Sequence, residues 1–289
     1  MERHVEVSPA VRYLIFFPVT AISALVFALL TVFSGYTESL FAWPMRSPLT
    51  AATLGAGFGA AAVLLGLALR ERYWVNARIA ALAPPLLLGL TLIASVTQLS
   101  AFPLKGGPLV AFAASWLWML AHVGLPFFAV IALAVQFAKR GSAPERESPL
   151  PRWARSAVDL LAVSMVLAGV LFFVSPTTFA GWWPWEVAPL DLRALSAWAI
   201  TFGVAVAFAV WEDDLRRVRI GLAAFVVFGA LALLAMLRYA GEVRWAHPSA
   251  WLYLAVVLGL LGSGAIGLAL SGKPFLRFGD RTVLAETLV

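Results

Sequence analysis

Long apolar runs alternate with short polar linkers along the whole chain. Eight runs, each of roughly 20 residues or more, carry few or no charges. They cover residues 12–33, 48–69, 78–98, 109–137, 154–174, 192–211, 217–237 and 249–270. An α-helix needs about 20 apolar residues to cross the roughly 30 Å hydrocarbon core of a bilayer. The pattern therefore predicts an all-α integral membrane protein with eight transmembrane helices.

Composition supports a membrane protein and excludes a soluble domain. Of the 289 residues, 62% are hydrophobic and 12% are charged, and the mean hydropathy is +0.90. The net charge of +6 resides in short basic clusters between the apolar runs, which is typical of loops that face anionic lipid rather than of a nucleic-acid surface. The chain has no cysteine, so thiolate metal sites and disulfides are excluded. The predicted partner is membrane lipid, with another membrane subunit as the alternative; no nucleic acid and no cofactor are predicted.

The distribution of lysine and arginine predicts the orientation. With the N-terminus in the cytoplasm, 16 of the 21 basic residues lie in cytoplasmic segments and only 5 lie outside. Positive charge concentrates on the cytoplasmic side of membrane proteins. We therefore expect both termini in the cytoplasm and the protein in the inner (plasma) membrane.

The two halves of the chain resemble each other in sequence. Ser8-Pro9 recurs as Ser148-Pro149, and Trp43-Pro44 recurs as Trp183-Pro184, both at an offset of 140 residues. After one inserted residue the offset becomes 141. Because the matches begin before the first apolar run, that run is expected to be a retained span rather than a cleaved signal peptide.

The repeat divides the chain into units. Each unit has four spans, an even number, so both copies enter the membrane from the same side and the repeats are tandem and parallel. The predicted units are a first four-helix repeat at 1–138, a cytoplasmic hinge at 139–153, a second four-helix repeat at 154–272 and a cytoplasmic tail at 273–289.

The second unit carries a distinctive pattern, Trp183-Pro184-Trp185, followed by Pro189-Leu190 and Arg193. This pattern, which extends to Arg238-Tyr239, resembles a group of uncharacterised bacterial multi-pass membrane proteins. The resemblance implies a bacterial inner membrane protein and says nothing about activity. In the first unit Met45 and Ala52 replace the second tryptophan and the arginine.

Acidic and basic residues recur at the inner ends of the spans. Glu71 precedes Arg78 by seven residues, and Glu212 precedes Arg219 by seven. Each pair stands on the two arms of one tight turn, so we expect a structural ion pair that pins each helical hairpin. A coupled proton or ion gate is the alternative.

His122 is the only histidine within an apolar run. A neutral imidazole bonded to Trp118 or to a backbone carbonyl is one interpretation, and proton handling is another. His122 is also a weak candidate for the ligand of a haem or chlorin metal, because bis-histidine ligation of haem needs a second histidine at the same depth. No other metal site is predicted.

Aromatic and charged residues accumulate at the outer ends of the spans. Part of this set forms the aromatic belt that is usual at membrane interfaces. Its density also predicts a ligand site for a lipid headgroup or a sugar. The predicted ligand-binding residues are Trp183, Trp185, Glu186, Asp191, Arg193, Arg238 and Tyr239. Glu186 and Glu242 are the expected partners of the two arginines.

Two functions follow from these patterns. The first is binding or moving a lipid or small amphiphile at the interface of the two repeats. The second is a non-catalytic membrane subunit or scaffold of a larger complex. Signatures of zinc proteases, serine hydrolases and phosphate-binding loops are absent from the sequence, so it does not favour an enzyme.

Overall fold

A computed structural model describes residues 4–272, and the described chain is helical without a β-strand. Eight helices in it are long and apolar enough to cross a membrane, which confirms the predicted count. They are α1 (Pro9–Val32), α2 (Pro48–Ala68), α3 (Trp74–Thr97), α4 (Leu109–Phe137), α5 (Arg152–Val174), α6 (Pro189–Glu212), α7 (Arg219–Arg238) and α8 (Pro248–Leu270). The predicted tail at 273–289 lies outside the described residues.

Short helical turns connect the spans at one end of the bundle. They are Ser34–Tyr36, Thr37–Leu40, Leu99–Ala101, Pro176–Phe179, Ala180–Trp182 and Ala240–Glu242. We call this end, which carries Trp43 and Trp185, the tryptophan end. The opposite end, which carries Glu71 and Glu212, is the ion-pair end.

Prolines open several of the spans. Pro48, Pro189 and Pro248 occupy the first turns of α2, α6 and α8, where a missing N–H costs no helical hydrogen bond. Ser47 caps α2, because its side-chain oxygen accepts a hydrogen bond from the Thr50 N–H at 3.2 Å. The sequence thus fixes where these helices begin at the tryptophan end.

Four helices form the centre of the bundle and four surround it. In their most apolar stretches, α2, α3, α6 and α7 bury 44–61% of their residues, whereas α1, α4, α5 and α8 bury 17–22%. The second and third helices of each half are therefore central, and the first and fourth are peripheral. The outer helices expose large apolar side chains, as expected for surfaces in contact with lipid.

Packing follows the same scheme in both halves. Helix α1 packs against α2 as α5 packs against α6, and α3 against α4 as α7 packs against α8. Across the halves, α2 packs against α7 and α6 against α3. Each half therefore contributes the same two helices to the central contact.

Glycines allow the closest approaches. A Cβ at Gly203 of α6 would lie 2.7 Å from Val166 of α5, and a Cβ at Gly264 of α8 would lie 2.6 Å from the Leu222 carbonyl oxygen of α7. Helix backbones can meet this closely only where side chains are minimal. These contacts fix the outer helices against the centre of the second half.

The connection between the halves lies against the turn that joins α6 to α7. The N–H of Leu215 donates to the Ser148 carbonyl at 2.7 Å, and the Asp214 carboxylate accepts from the Glu147 N–H at 2.9 Å. Asp213 accepts from the Leu150 N–H at 3.2 Å. The predicted hinge is therefore held by one backbone hydrogen bond and by two bonds from its N–H groups to aspartate side chains.

Candidate functional site

At the ion-pair end, the expected pairs are exchanged between the halves. Arg78 of α3 binds Glu212 of α6, and Arg219 Nη2 of α7 lies 2.6 Å from Glu71 Oε1, just beyond α2. The prediction that each pair pins its own hairpin is wrong. The reason is that α3 packs against α6 and α7 against α2, so each arginine meets the carboxylate of the other half.

Glu212 is the more deeply buried of the two acids. Its side chain is fully buried, and besides Arg78 it accepts a hydrogen bond from Arg217 Nη1 at 2.7 Å. The Arg78 guanidinium also lies 5.4 and 5.0 Å from the ring centroids of Phe208 and Trp211. Both carboxylate oxygens of Glu212 are thus occupied by guanidinium groups. This geometry describes a structural tie, and the gate alternative stays a prediction.

At the tryptophan end, two indoles make a second exchange. Trp43 Nε1 of the first half donates to Asp191 Oδ1 of α6 at 2.8 Å, and Trp185 Nε1 of the second half donates to Thr50 Oγ1 of α2 at 2.8 Å. Thr50 and Asp191 are 141 residues apart, which equals the second offset predicted between the halves. The halves are therefore tied reciprocally at both ends.

These bonds refine the sequence comparison. The sequence matches Trp43 with Trp183, whereas the bond across the halves makes Trp185 its structural counterpart. Trp185 and Asp191, both predicted to bind ligand, are fully buried, and the Trp185 indole N–H and Asp191 Oδ1 form these bonds between the halves. Their described role is to join the halves.

The two arginines of the predicted ligand site find backbone partners. Arg193 Nε donates to the Phe173 carbonyl at 3.0 Å, and Arg238 Nη1 donates to the Thr31 carbonyl at 2.9 Å. Both carbonyls belong to the last turns of α5 and α1, where helix carbonyls lack intrahelical donors. The expectation that carboxylates pair these arginines is wrong for the described residues.

The expected carboxylate partners are engaged elsewhere. Glu186 lies 3.7 Å from Arg46, and both side chains are exposed. Glu242 accepts hydrogen bonds from the Ser47 hydroxyl and from the Leu49 N–H. Tyr239 shares a hydrogen bond between its hydroxyl and that of Ser34, and the Arg238 guanidinium lies 5.1 Å from its ring centroid. The structure therefore does not gather the predicted ligand residues into one pocket.

A larger cavity, with a volume of about 1150 Å³, lies between α5 and α8 and is also lined by residues of α6 and α7. Its described lining contains no acidic, basic or histidine side chain. Leu160 of α5 and Leu258 of α8 line it and are also exposed on the outer surface. The cavity is thus apolar and opens toward the lipid.

Three polar side chains line this cavity without hydrogen-bond partners. They are Trp183, through its indole Nε1, and Thr53 and Tyr253, through their hydroxyls. Trp183 is 7% exposed and Thr53 4%. Buried polar groups in proteins are almost always hydrogen-bonded. These three atoms are therefore exceptions to that rule among the described residues.

Of these three residues, the sequence singled out only Trp183. Tyr253 is distinguished only by the similarity of Trp251-Leu252-Tyr253 to Trp116-Leu117-Trp118, at an offset of 135 residues, which makes Trp118 its counterpart in the first half. Thr53 gives no signal, because a threonine in an apolar helix usually bonds to its own backbone. The ring centroids of Trp183 and Tyr253 are 5.8 Å apart, and that of Phe172 is 5.8 Å from Trp183. Helices α2, α5 and α8 together with the 183–185 loop thus form the cluster.

A smaller cavity of about 620 Å³ lies in the first half, lined mainly by α1 to α4. His122 lines it, and its Nδ1 lies 2.8 Å from the Trp118 carbonyl oxygen. The Trp118 indole donates to Ser95 Oγ at 3.0 Å and stacks on His122, with ring centroids 4.0 Å apart. The indole N–H of Trp118, the counterpart of Tyr253, is therefore hydrogen-bonded within the protein.

The geometry around His122 offers no second metal ligand. Residues 4–272 contain no group of three or more histidine, cysteine or acidic side chains that could hold a metal ion. His4 bonds to Ser142 at the ion-pair end, and His247 bonds to Ser249 at the tryptophan end. The partner that His122 has is the Trp118 carbonyl, in agreement with the first interpretation of this residue.

Comparison of the chain with protein-family models, with curated proteins and with solved structures finds no match. The resemblance to a bacterial group therefore stays a prediction. Within residues 4–272, the protein is thus a multi-pass membrane protein with eight helices long enough to span a membrane, reciprocal bonds between its halves at both ends and a large uncharged cavity.

Proposed function

We propose that this protein binds a lipid or small amphiphile in the larger cavity, where Thr53 of the first half meets the second half. The observation that carries the proposal is an apolar cavity of about 1150 Å³ with unpartnered polar atoms among its lining residues. Ligand cavities in proteins usually have volumes of roughly 300–1,000 Å³ and a few polar groups in an apolar wall. A molecule with a long apolar chain and one polar group would match this apolar lining and its single polar cluster.

The unpartnered atoms favour an amphiphile over a partner helix. A transmembrane helix satisfies its backbone polar groups internally and presents apolar side chains to its neighbours. Such a partner helix would cover the apolar lining of the cavity and leave the polar atoms of Trp183, Thr53 and Tyr253 without hydrogen-bond partners. The scaffold alternative therefore explains the groove between α5 and α8 but not its polar atoms.

A pair of glycines provides the test. Gly259 lines the larger cavity, and a Cβ there would make only ordinary contacts with Leu161 at 3.5 Å. Gly124 lines the smaller cavity at the matching repeat position, and a Cβ there meets nothing within 4 Å. Gly259→Phe fills the larger cavity without a backbone clash, and Gly124→Phe is the matched control.

The measurement is the lipid that remains on the purified protein, identified by mass spectrometry. Because a buried methylene contributes about 0.8 kcal/mol, displacing two or three of them predicts about a tenfold or greater loss of retained lipid in Gly259→Phe. Gly124→Phe should retain the wild-type amount. Equal retention in both variants, with a co-purifying protein subunit, would favour the scaffold.

We further propose that the protein lies in a bacterial inner membrane with both termini in the cytoplasm. The support is the charge bias of 16 basic residues against 5. The chain lacks cysteine, so single cysteines at two exposed positions, Ala143→Cys and Gly106→Cys, can report the side. A membrane-impermeant maleimide added to intact cells should label only Gly106→Cys. Labelling of Ala143→Cys instead would reverse the orientation.

We also infer that the halves are tandem copies related by rotation about the membrane normal. The support is the reciprocal pairing of Arg78 with Glu212 and Arg219 with Glu71, together with the matching packing of the helices. A chain split after Gly141 should reassemble when both pieces are co-expressed, and each piece alone should be degraded. Stable accumulation of either piece alone would contradict this dependence.

A further inference from the structure

The polar atoms in the larger cavity restrict the chemistry of its ligand beyond the apolar tail. Resting on the proposed function, we infer that the ligand is an uncharged amphiphile whose head accepts hydrogen bonds through carbonyl oxygens. The inference depends on three observations: the unpartnered donors, the absence of charge in the described lining and the aromatic walls.

The cluster carries three donor protons, and none of them has an acceptor in hydrogen-bonding geometry among the described residues. The Trp183 indole can only donate, and the hydroxyls of Thr53 and Tyr253 carry one proton each. These two hydroxyls neighbour each other, so one can donate to the other, although no bond of acceptable geometry forms. Even with that bond made, the indole N–H and one hydroxyl proton still lack an acceptor. The missing group must therefore supply acceptor oxygens.

The remaining hydroxyls of the lining do not supply them. Ser164, Ser196 and Ser263 donate to carbonyls of their own helices at 2.6–3.1 Å, and Ser249 bonds to His247. Helix serines commonly satisfy themselves in this way. The buried unsatisfied donors of the lining are thus confined to one cluster, which matches a ligand with a single polar head.

A charged head does not fit the surroundings. The described lining has no ionisable acid or base to pair with it, and an isolated charge in an apolar site is strongly disfavoured. The guanidinium of Arg244 binds the Trp183 carbonyl, and that of Arg193 binds the Phe173 carbonyl. Neither arginine lines the cavity, so an anionic phosphate would lack its usual partner.

Aromatic rings surround the polar cluster. Of the rings that line the cavity, those of Phe172 and Trp183 have centroids 5.8 Å apart, and those of Trp183 and Tyr253 are also 5.8 Å apart, both in edge-on arrangements. Such walls suit a flat, conjugated head as well as an ester. An isoprenoid quinone and a diacylglycerol share the required chemistry, since both join carbonyl oxygens to a long apolar chain.

Four probes separate these possibilities in detergent. They are a short-chain isoprenoid benzoquinone, dioleoylglycerol, dioleoylphosphatidic acid and hexadecane, which has no head. The variants Trp183→Phe and Tyr253→Phe remove one polar atom each and keep the ring. Because neither atom has a partner in the protein, both variants should be at least as thermally stable as the wild type, which shows that they fold.

The expected result is that at least one carbonyl probe binds the wild type more tightly than hexadecane and phosphatidic acid do. Trp183→Phe should lower the affinity for that probe by about three- to tenfold, which is the effect of one neutral hydrogen bond. The affinity for hexadecane should not change. The quinone and the glyceride arms then identify the source of the carbonyl. Trp118→Phe, in the other cavity, should leave every affinity unchanged.

Two failures have different meanings. If hexadecane and all amphiphiles bind equally and Trp183→Phe changes none of them, the carbonyl inference is overturned while the cavity remains a lipid site. Tightest binding of phosphatidic acid also overturns it. If no probe binds, or if Gly259→Phe leaves all binding intact, the proposed function itself fails.

Discussion

The larger cavity of the second half and the smaller cavity of the first occupy corresponding places and differ in their polar atoms. In the smaller cavity, the Trp118 indole is bonded to Ser95 and His122 is bonded to the Trp118 carbonyl. In the larger, Trp183 and Tyr253 are left without partners. The polar atoms of the smaller cavity are bonded within the protein, whereas those of Trp183 and Tyr253 contribute no hydrogen bond to its stability.

The bonds that tie the halves together are shared by both halves, whereas the polar atoms of the two cavities differ. The ties at both ends of the bundle require both halves to keep the same backbone arrangement. Inside that arrangement, the outer cavities are free to differ, because their lining does not take part in the ties. We therefore expect stability to depend on the ties and on the first cavity, and ligand binding to depend on the second.

The largest expected effect tests the two halves of the ion-pair end. Glu212→Gln removes the buried carboxylate that binds Arg78 and leaves Arg217 with only Asp214, 3.5 Å away, so the free energy of unfolding should fall by about 3–5 kcal/mol. Glu71→Gln should lower it by about 1–2 kcal/mol, because the Arg219 side chain is 38% exposed and can reach water. Thermal or detergent-induced unfolding measures both.

A double variant controls for the exchange of partners. Adding Arg78→Gln to Glu212→Gln removes a buried cation and should recover part of the loss. Adding Arg219→Gln to Glu212→Gln should recover none of the lost free energy of unfolding, because Arg219 binds Glu71. The opposite ranking would show that the pairs close within each hairpin.

A smaller effect compares the tryptophans of the two cavities. Trp118→Phe breaks the bond to Ser95, whereas Trp183→Phe removes a buried donor that has no partner. A lost hydrogen bond costs about 1 kcal/mol and an unsatisfied buried donor about 1–3 kcal/mol. We therefore expect Trp118→Phe to be less stable than Trp183→Phe by about 2 kcal/mol or more in unfolding without added ligand. Equal stability would mean that the two cavities do not differ in this way.

The smallest expected effect concerns His122. Its Nδ1 adds a second donor to the Trp118 carbonyl, which lies one helical turn before it in α4. His122→Phe should therefore lower the free energy of unfolding by about 1 kcal/mol or less and leave lipid retention unchanged. Visible absorbance that is present in the purified wild type and absent from this variant would instead assign a pigment or haem to the first cavity.

The spans were predictable because each is set by local chemistry. An apolar run of about 20 residues has one stable form in hydrocarbon, a helix, whatever its neighbours are. The runs predicted at 48–69 and 109–137 agree with α2 and α4 to within one residue. The start of α6 was predicted three residues late, at 192, because Asp191 was counted as loop, whereas Pro189 opens the helix.

The partners of the ties were not predictable from spacing. Glu71 and Arg78 flank one short turn, and the sequence gives no measure of their distance from Glu212 or Arg219. Only the packing of α3 on α6 decides that Arg78 binds the distant acid. The ligand cluster was missed for the same reason, since Thr53 and Tyr253 are 200 positions apart and each is an ordinary residue of an apolar helix.

The exchanged ion pairs also bear on how the chain is made. Arg78 and its acceptor Glu212 are 134 positions apart, so at about 5–20 residues per second the ribosome needs on the order of ten seconds to deliver the acid after the base. During that interval α2 and α3 reside in the bilayer with Glu71 and Arg78 both lacking their final partners. Until α6 and α7 arrive, these charges have only water, lipid headgroups or each other as partners, and the insertion of α6 and α7 completes the ion pairs of α2 and α3.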